Sequence, residues 1–194
     1  MTLAPIPIDA PVTIAARSIK RILILLPILG TKWGRHPKVE PVTKVARVSD
    51  EVEIEEIEAV TDELFEAWKT LLPQLSSSAK PMTREWLTRV VEAPDTTMIV
   101  ARIDQKIIGA LTLVTFAIPV GLRARIEDVV VDKSARGQGV GEQLSRYGLD
   151  LAARMGSPVV DLTSSPDRES ANRLYQRIGF QPRNTNVYRF KFDG

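Results

Sequence analysis

Arg136-Gly137-Gln138-Gly139-Val140-Gly141 follows the apolar run Val129-Val130-Val131 and opens a helical pattern. Three glycines in five positions strip most Cβ atoms from the main chain, so a ligand can approach the backbone closely. The helix that follows aims its unpaired first-turn N–H groups, and the positive end of its macrodipole, at the same spot. Strand, glycine turn and helix start, in that order, predict a pyrophosphate cradle. Any fold for this chain must join a strand end to a helix start through this turn.

The spacing discriminates between ligands. A Rossmann G-x-G-x-x-G turn needs glycine at position 142, which is Glu142, and no Gly-Lys-Ser/Thr of a P-loop occurs. The pattern present is R-x-x-G-x-G. Composition closes off other chemistries. With no cysteine, disulfides, thiolate nucleophiles and Cys-based zinc sites are excluded. The one histidine, His36, lies between Arg35 and Pro37 and reads as a solvated loop residue. No His-dependent triad or multi-His centre can be built, and no metal is expected.

The net charge of +2 is unevenly spread. Residues 1–48 hold eight Lys/Arg against Asp9 and Glu40, whereas residues 49–194 hold 18 basic and 22 acidic side chains. An acidic remainder argues against nucleic-acid binding, which rests on cationic surface, and better suits a cationic substrate. Six of the 13 prolines fall in residues 1–48 and interrupt every candidate element there. That segment reads as a basic, disordered or loosely docked extension, and residues 49–194 as the folded domain. The apolar run 22–29 is far short of the ~20 residues that span a bilayer. Gly30-Thr31-Lys32-Trp33 is a poor cleavage site, so the expected location is cytoplasmic.

Within the domain, the patterns predict strands at 52–57, 98–102, 106–116, 123–131 and 159–162. A last strand, Val187–Phe192, alternates with Tyr188, Phe190 and Phe192 on one face. Thr61 and Thr83 are placed to cap two helices. In the first, Glu63, Leu64, Phe65, Trp68, Leu71 and Leu72 recur at helical spacing, and the second puts Trp86, Leu87 and Val90 on one face. Asp104-Gln105 makes a tight turn. A long helix carries Val140, Leu144, Tyr147 and Leu151 in one stripe. A last helix has Ser165 as N-cap and Pro166 at its first position, and ends at Gly179.

The R-x-x-G-x-G turn resembles the coenzyme A signature of the GNAT superfamily of N-acetyltransferases. A second stretch, Ala171-Asn172-Arg173-Leu174-Tyr175-Gln176-Arg177-Ile178-Gly179-Phe180, looks like that family's A-N-x-L-Y-x-x-x-G-F segment. The element order is similar too, and the resemblance covers residues 51–194. It implies an α/β (α+β) fold: a mixed, mostly antiparallel central sheet of six to seven strands flanked by about four helices. It implies acetyl-CoA as co-substrate and direct acetyl transfer to a primary amine of a small molecule. The pyrophosphate would sit on the backbone amides of Gly137, Gln138, Gly139, Val140, Gly141 and Glu142, with Arg136 or Lys133 adding charge. The pantetheine would pair with Val129, Val130 and Val131 like an extra strand, and Asn172 would bond the pantetheine or phosphate end.

Amide formation from a thioester needs a neutral amine, a polarised carbonyl and a protonated leaving thiolate. Alkyl amines, with pKa ~10.4, are mostly charged at pH 7, so a base is useful. Glu127 and Asp128 are the candidates. On a regular strand they point to opposite faces, Glu127 with Val129 and Val131, and only one lines a cleft unless a bulge intervenes. The segment Ile126–Val131 resembles the equivalent strand of GNAT polyamine and glucosamine-phosphate acetyltransferases, whose Glu serves the amine. That puts Glu127 first and Asp128 second, although both also read as a surface acid and an ion-pair partner. Tyr175 is the candidate acid, because a phenol of pKa ~10 stays protonated beside a thiol of ~8.5. Its helical spacing from Ala171 and Ile178 equally fits a plain core residue. Without cysteine, a cysteine-linked acyl-enzyme is impossible.

Two further readings stay open: a protein lysine or N-terminal acetyltransferase, and a non-catalytic acyl-CoA-binding module. Residues 73–82 are expected to shape the acceptor site. A groove between 73–82 and 181–187 would suit a peptide, and a closed acidic pocket a small amine. The resemblance leaves a homodimer open.

Overall fold

The computed structural model describes residues 52–192; the extension, His36 and the apolar run 22–29 lie outside them. Five strands are present: β1 (Glu53–Ile57), β2 (Thr96–Ile103), β3 (Lys106–Ile118), β4 (Gly121–Val131) and β5 (Val160–Asp161). The four helices are α1 (Asp62–Leu75), α2 (Arg84–Glu92), α3 (Val140–Arg154) and α4 (Glu169–Arg177). The strands form one sheet in chain order, antiparallel from β1 to β4 and parallel between β4 and β5.

Alternation along the strands splits the core in two. Ile99, Leu111, Leu113 and Ile126 face α3, where they meet Val140, Leu144 and Leu151. Met98, Val100, Ala110 and Val130 face the other side, where they meet Leu64, Trp68 and Leu71 of α1 and Leu87 of α2. The helical stripes read from spacing on α1 and α3 therefore face the core. Both threonine caps form: Thr61 Oγ1 accepts from the Leu64 N–H and Thr83 Oγ1 from the Trp86 N–H, each at 3.1 Å. Asp104 and Gln105 turn β2 into β3 with φ of 47° and 65°.

The structure departs from expectation in several places. The sheet has five strands rather than six to seven. Residues 181–192 form no ladder, and Val187, Tyr188, Phe190 and Phe192 are exposed. Alternation is necessary for a strand, but its hydrogen bonds must come from a neighbour, and β5 at that edge is two residues long. Helix α4 starts at Glu169, not at Pro166, because the Ser165 hydroxyl bonds the Asp167 carboxylate in a turn. Trp86 is 54% exposed instead of sharing a buried face with Leu87.

Candidate active site

The site begins at a fault in the sheet. Thr112 pairs with Glu127 and Ala110 with Val130, so the single residue Leu111 opposes both Asp128 and Val129. This is a β-bulge, and Asp128 takes φ of 54° to accommodate it. The bulge breaks the regular alternation: Val129 and Val131 pack on the same core as Ile126, so Glu127 does not share their face. Glu127 instead accepts from Arg125 Nε at 2.8 Å. Asp128 faces a cavity, and its pKa is raised, first by desolvation and then by the Glu127 charge, with Arg168 opposing. The carboxylate reaches solvent, yet enough protein surrounds the cleft to disfavour its charged form.

Beyond the bulge β4 has an open edge. Its pairing with β5 is confined to Ala124↔Val160 and Arg125↔Asp161, which leaves the stretch up to Val131 without a second neighbour among the described residues. That edge, the glycine turn and α4 enclose a cavity of about 670 Å³. Val129, Val130 and Val131 line it, followed by Arg136, Gly137 and Gly139. Val140, Gly141 and Glu142 complete the turn, with Leu174, Tyr175 and Arg177 opposite. Gly137 and Gly139 have φ of 81° and 80°, a region that side-chain-bearing residues rarely adopt, and a Cβ on Gly137 would point into open space. Helix α3 starts without a side-chain cap. A bare backbone turn against an uncapped helix start fits a pyrophosphate, and the open β4 edge fits an amide-bearing arm.

Long-range contacts that local spacing does not reveal hold this turn. Gln74, at the end of α1, donates to Asp132 Oδ2 and accepts from the Lys133 N–H, both at 2.9 Å. The Ser134 hydroxyl, then the Gln74 amide and the Ser134 N–H, lower the Asp132 pKa to about 2. Arg136 Nε donates to the Val131 carbonyl at 3.1 Å, which occupies one of the strand groups expected to serve the pantetheine. Glu142 holds Arg146 at 2.9 Å and Arg177 at 2.8 Å, and these cations lower its pKa. Gln138, expected through its backbone amide, and Asn172 do not line this cavity. The Gln138 side chain donates to the Ser134 carbonyl, and Asn172 Nδ2 donates to the Ser165 carbonyl at 2.9 Å.

Tyr175 is half-buried, lines the first cavity and belongs to neither core cluster. Its ring meets Phe180 edge-on, with centroids 5.8 Å apart. Burial raises its pKa, with Arg168 opposing, so the phenol stays protonated across the neutral range. Arg168 thus acts on both Asp128 and Tyr175, and its Nη2 donates to the Leu75 carbonyl at 2.6 Å. Sequence reasoning passed over Arg168 because Pro166 suggested an earlier helix start.

A second cavity, of about 470 Å³, includes the bulge residue Asp128, next in the chain to Val129 of the first. Asp128 lines it together with α1, α2 and the loop Ala79–Thr83, so part of the segment 73–82 does shape it. Residues 181–187 line neither cavity. Among the described residues, no His/Asp/Glu group is placed to hold a metal ion, and no helix is long and apolar enough to cross a membrane.

A bare glycine turn ahead of an uncapped helix start, on an open strand edge whose bulge turns a carboxylate into a second pocket, is the arrangement of an acyltransferase. The sequence pattern of the Acetyltransferase (GNAT) family matches residues 57–180, and the chain belongs to that family, an acyltransferase family that uses acetyl-CoA. It is 33% identical over 73 residues to N-alpha-acetyltransferase 30 of Schizosaccharomyces pombe, covering 38% of this chain and 48% of that protein. The chain thus matches about half the length of this curated relative. The fold is similar to that of the aminoglycoside acetyltransferase meta-AAC0020, from an uncultured soil metagenomic sample, in complex with sisomicin. The TM-score is 0.66 at 18% identity, over 76% of this chain and 100% of the other. It is also similar to that of aminoglycoside N-acetyltransferase AAC(6')-Iy in complex with CoA, with TM-score 0.61 at 18% identity, over 72% and 94% of the chains.

Proposed function

We propose that this acyltransferase moves an acetyl group from acetyl-CoA directly to the primary amine of a small molecule, with Asp128 as base and Tyr175 as acid. The observation that carries the reading is the bulge, which turns Asp128 into the second cavity while Val129 lines the first. The amine and the thioester would meet there. Asp128 takes a proton from the ammonium, and its raised pKa makes it a better acceptor than an ordinary carboxylate. The amine nitrogen then bonds to the acetyl carbon, the carbon–sulfur bond breaks, the Tyr175 hydroxyl gives its proton to the sulfur, and the second proton leaving the nitrogen restores the phenol. Backbone N–H groups on the open β4 edge polarise the carbonyl. Glu127 serves by raising the pKa of Asp128. The glycine turn binds the diphosphate, and Arg168 steadies both titrating groups.

The similarity to N-alpha-acetyltransferase 30 favours a second reading, in which the acceptor is the amino terminus of a peptide. The test is release of free thiol from acetyl-CoA on addition of a panel of amines and peptides. Amine-dependent release is expected. Binding of acetyl-CoA with release no faster than hydrolysis for every acceptor would overturn the proposal.

A further inference from the structure

The second cavity is a largely apolar room with a single acid. Trp68, Leu72, Met82, Trp86 and Met98 form its wall, and Asp128 is its one carboxylate. Its size falls in the range of about 300–1,000 Å³ usual for small-molecule sites. The Trp68 indole N–H donates to Met98 Sδ at 3.1 Å, so that buried polar group is already satisfied and asks nothing of a ligand. Thr112, in register with Met98, adds one hydroxyl. Methionines give the wall room to adapt to different apolar shapes.

Charge limits the acceptor further. Lys80 is a cation on the same wall. The outer aromatic, Trp86, already carries the Arg89 guanidinium 5.2 Å from its ring centroid. A second ammonium could not readily use that face for a cation–π contact. It would lie against tryptophan and methionine without a partner, which is costly, and within the field of Lys80. One carboxylate balances one ammonium.

Resting on the reading of this cavity as the acceptor site, we propose that the acceptor bears a single amine on an uncharged apolar body, and is neither a polyamine nor a polycationic sugar. The same chemistry occurs in an arylalkylamine and in a peptide whose first residue is large and apolar.

The test compares kcat/KM of the full chain with acetyl-CoA and four acceptors: 2-phenylethylamine, phenylalanyl-glycine amide, spermidine and kanamycin. Phenylethylamine should exceed spermidine by at least about tenfold, the scale on which apolar pockets discriminate. A preference for phenylalanyl-glycine amide over phenylethylamine would identify the source as a chain terminus and support the inference equally. A preference for spermidine or kanamycin would overturn it. Lys80→Glu should raise the ratio of spermidine to phenylethylamine kcat/KM several-fold, and an unchanged ratio would overturn the charge argument. If no acceptor releases thiol, the proposed function fails separately, and tryptophan fluorescence decides this inference. Saturable quenching by phenylethylamine but not spermidine, reduced in Trp86→Phe, supports it; no selective quenching overturns it.

Discussion

Asp128 and Val129 are consecutive on β4, yet Asp128 lines the second cavity and Val129 lines the first. The bulge that separates them is where an amine and a thioester arriving from the two cavities would meet. It is also why the two neighbouring acids of this strand have different partners: Glu127 engages Arg125, while Asp128 is left facing the pocket.

Asp128→Asn should lower kcat/KM at neutral pH by about 10²-fold, the lower end for a general base. In the wild type the activity should fall on acidification through a pKa above the ordinary carboxylate range, since the base must be ionised and its pKa is raised. Glu127→Gln removes a neighbouring negative charge, so the Asp128 pKa should fall and the acidic limb should move to lower pH, with a smaller loss of rate. A pH–rate profile checks both. An acidic limb that moves upward in Glu127→Gln would contradict the assignment.

Tyr175→Phe keeps the ring against Phe180 and removes the proton donor. Turnover should drop about 10²-fold while acetyl-CoA affinity stays nearly constant. The loss should shrink for an acyl donor with a better leaving thiol, whose sulfur needs less help. Equal kcat for mutant and wild type would return Tyr175 to a packing role.

Gly139→Val forces a β-branched residue into φ of 80° at the start of α3. Acetyl-CoA affinity should weaken at least tenfold, or ~1.4 kcal/mol. Gly141 lacks a positive φ, and an added Cβ would make ordinary contact with Leu174 at 3.4 Å, so Gly141→Ala should be milder. Calorimetry on both variants, with melting curves to confirm folding, gives the comparison.

Gln74→Leu removes one of the bonds that hold the Asp132 carboxyl down at about 2, while both Ser134 bonds remain. The Asp132 pKa should rise part of the way toward its ordinary value, as read by carboxyl NMR titration. The wild-type contribution of this carboxylate is fully present above the ordinary aspartate range and is lost as pH falls through about 2. The variant should lose it at higher pH.

The local parts of this protein were legible in the chain. A threonine hydroxyl reaches only the N–H groups of the next turn, so Thr61 and Thr83 declare helix starts by themselves. Apolar spacing fixes which faces of α1 and α3 are buried, and Gly137 and Gly139 ahead of a helix mark a turn of bare backbone. The strand Val187–Phe192 was misread because alternation says nothing about whether a neighbour exists to pair with. The bond from Asn172 to the Ser165 carbonyl was not legible for a related reason: its position on a helix was clear, but the group it would meet was not.

The tertiary structure alone decided the chemistry of the site. A bulge arises from a register mismatch between two strands, so Asp128 gained its place in the pocket from β3 rather than from its own neighbours. Gln74 and Asp132 are distant in sequence and meet because α1 packs across the end of β4. The Arg168 charge acts on both Asp128 and Tyr175 because the turn ahead of α4 carries it there. Periodicity encodes which face is apolar, since that depends on the chain's own geometry. Which polar groups meet across that face depends on how separate elements dock, and short-range spacing carries no record of it.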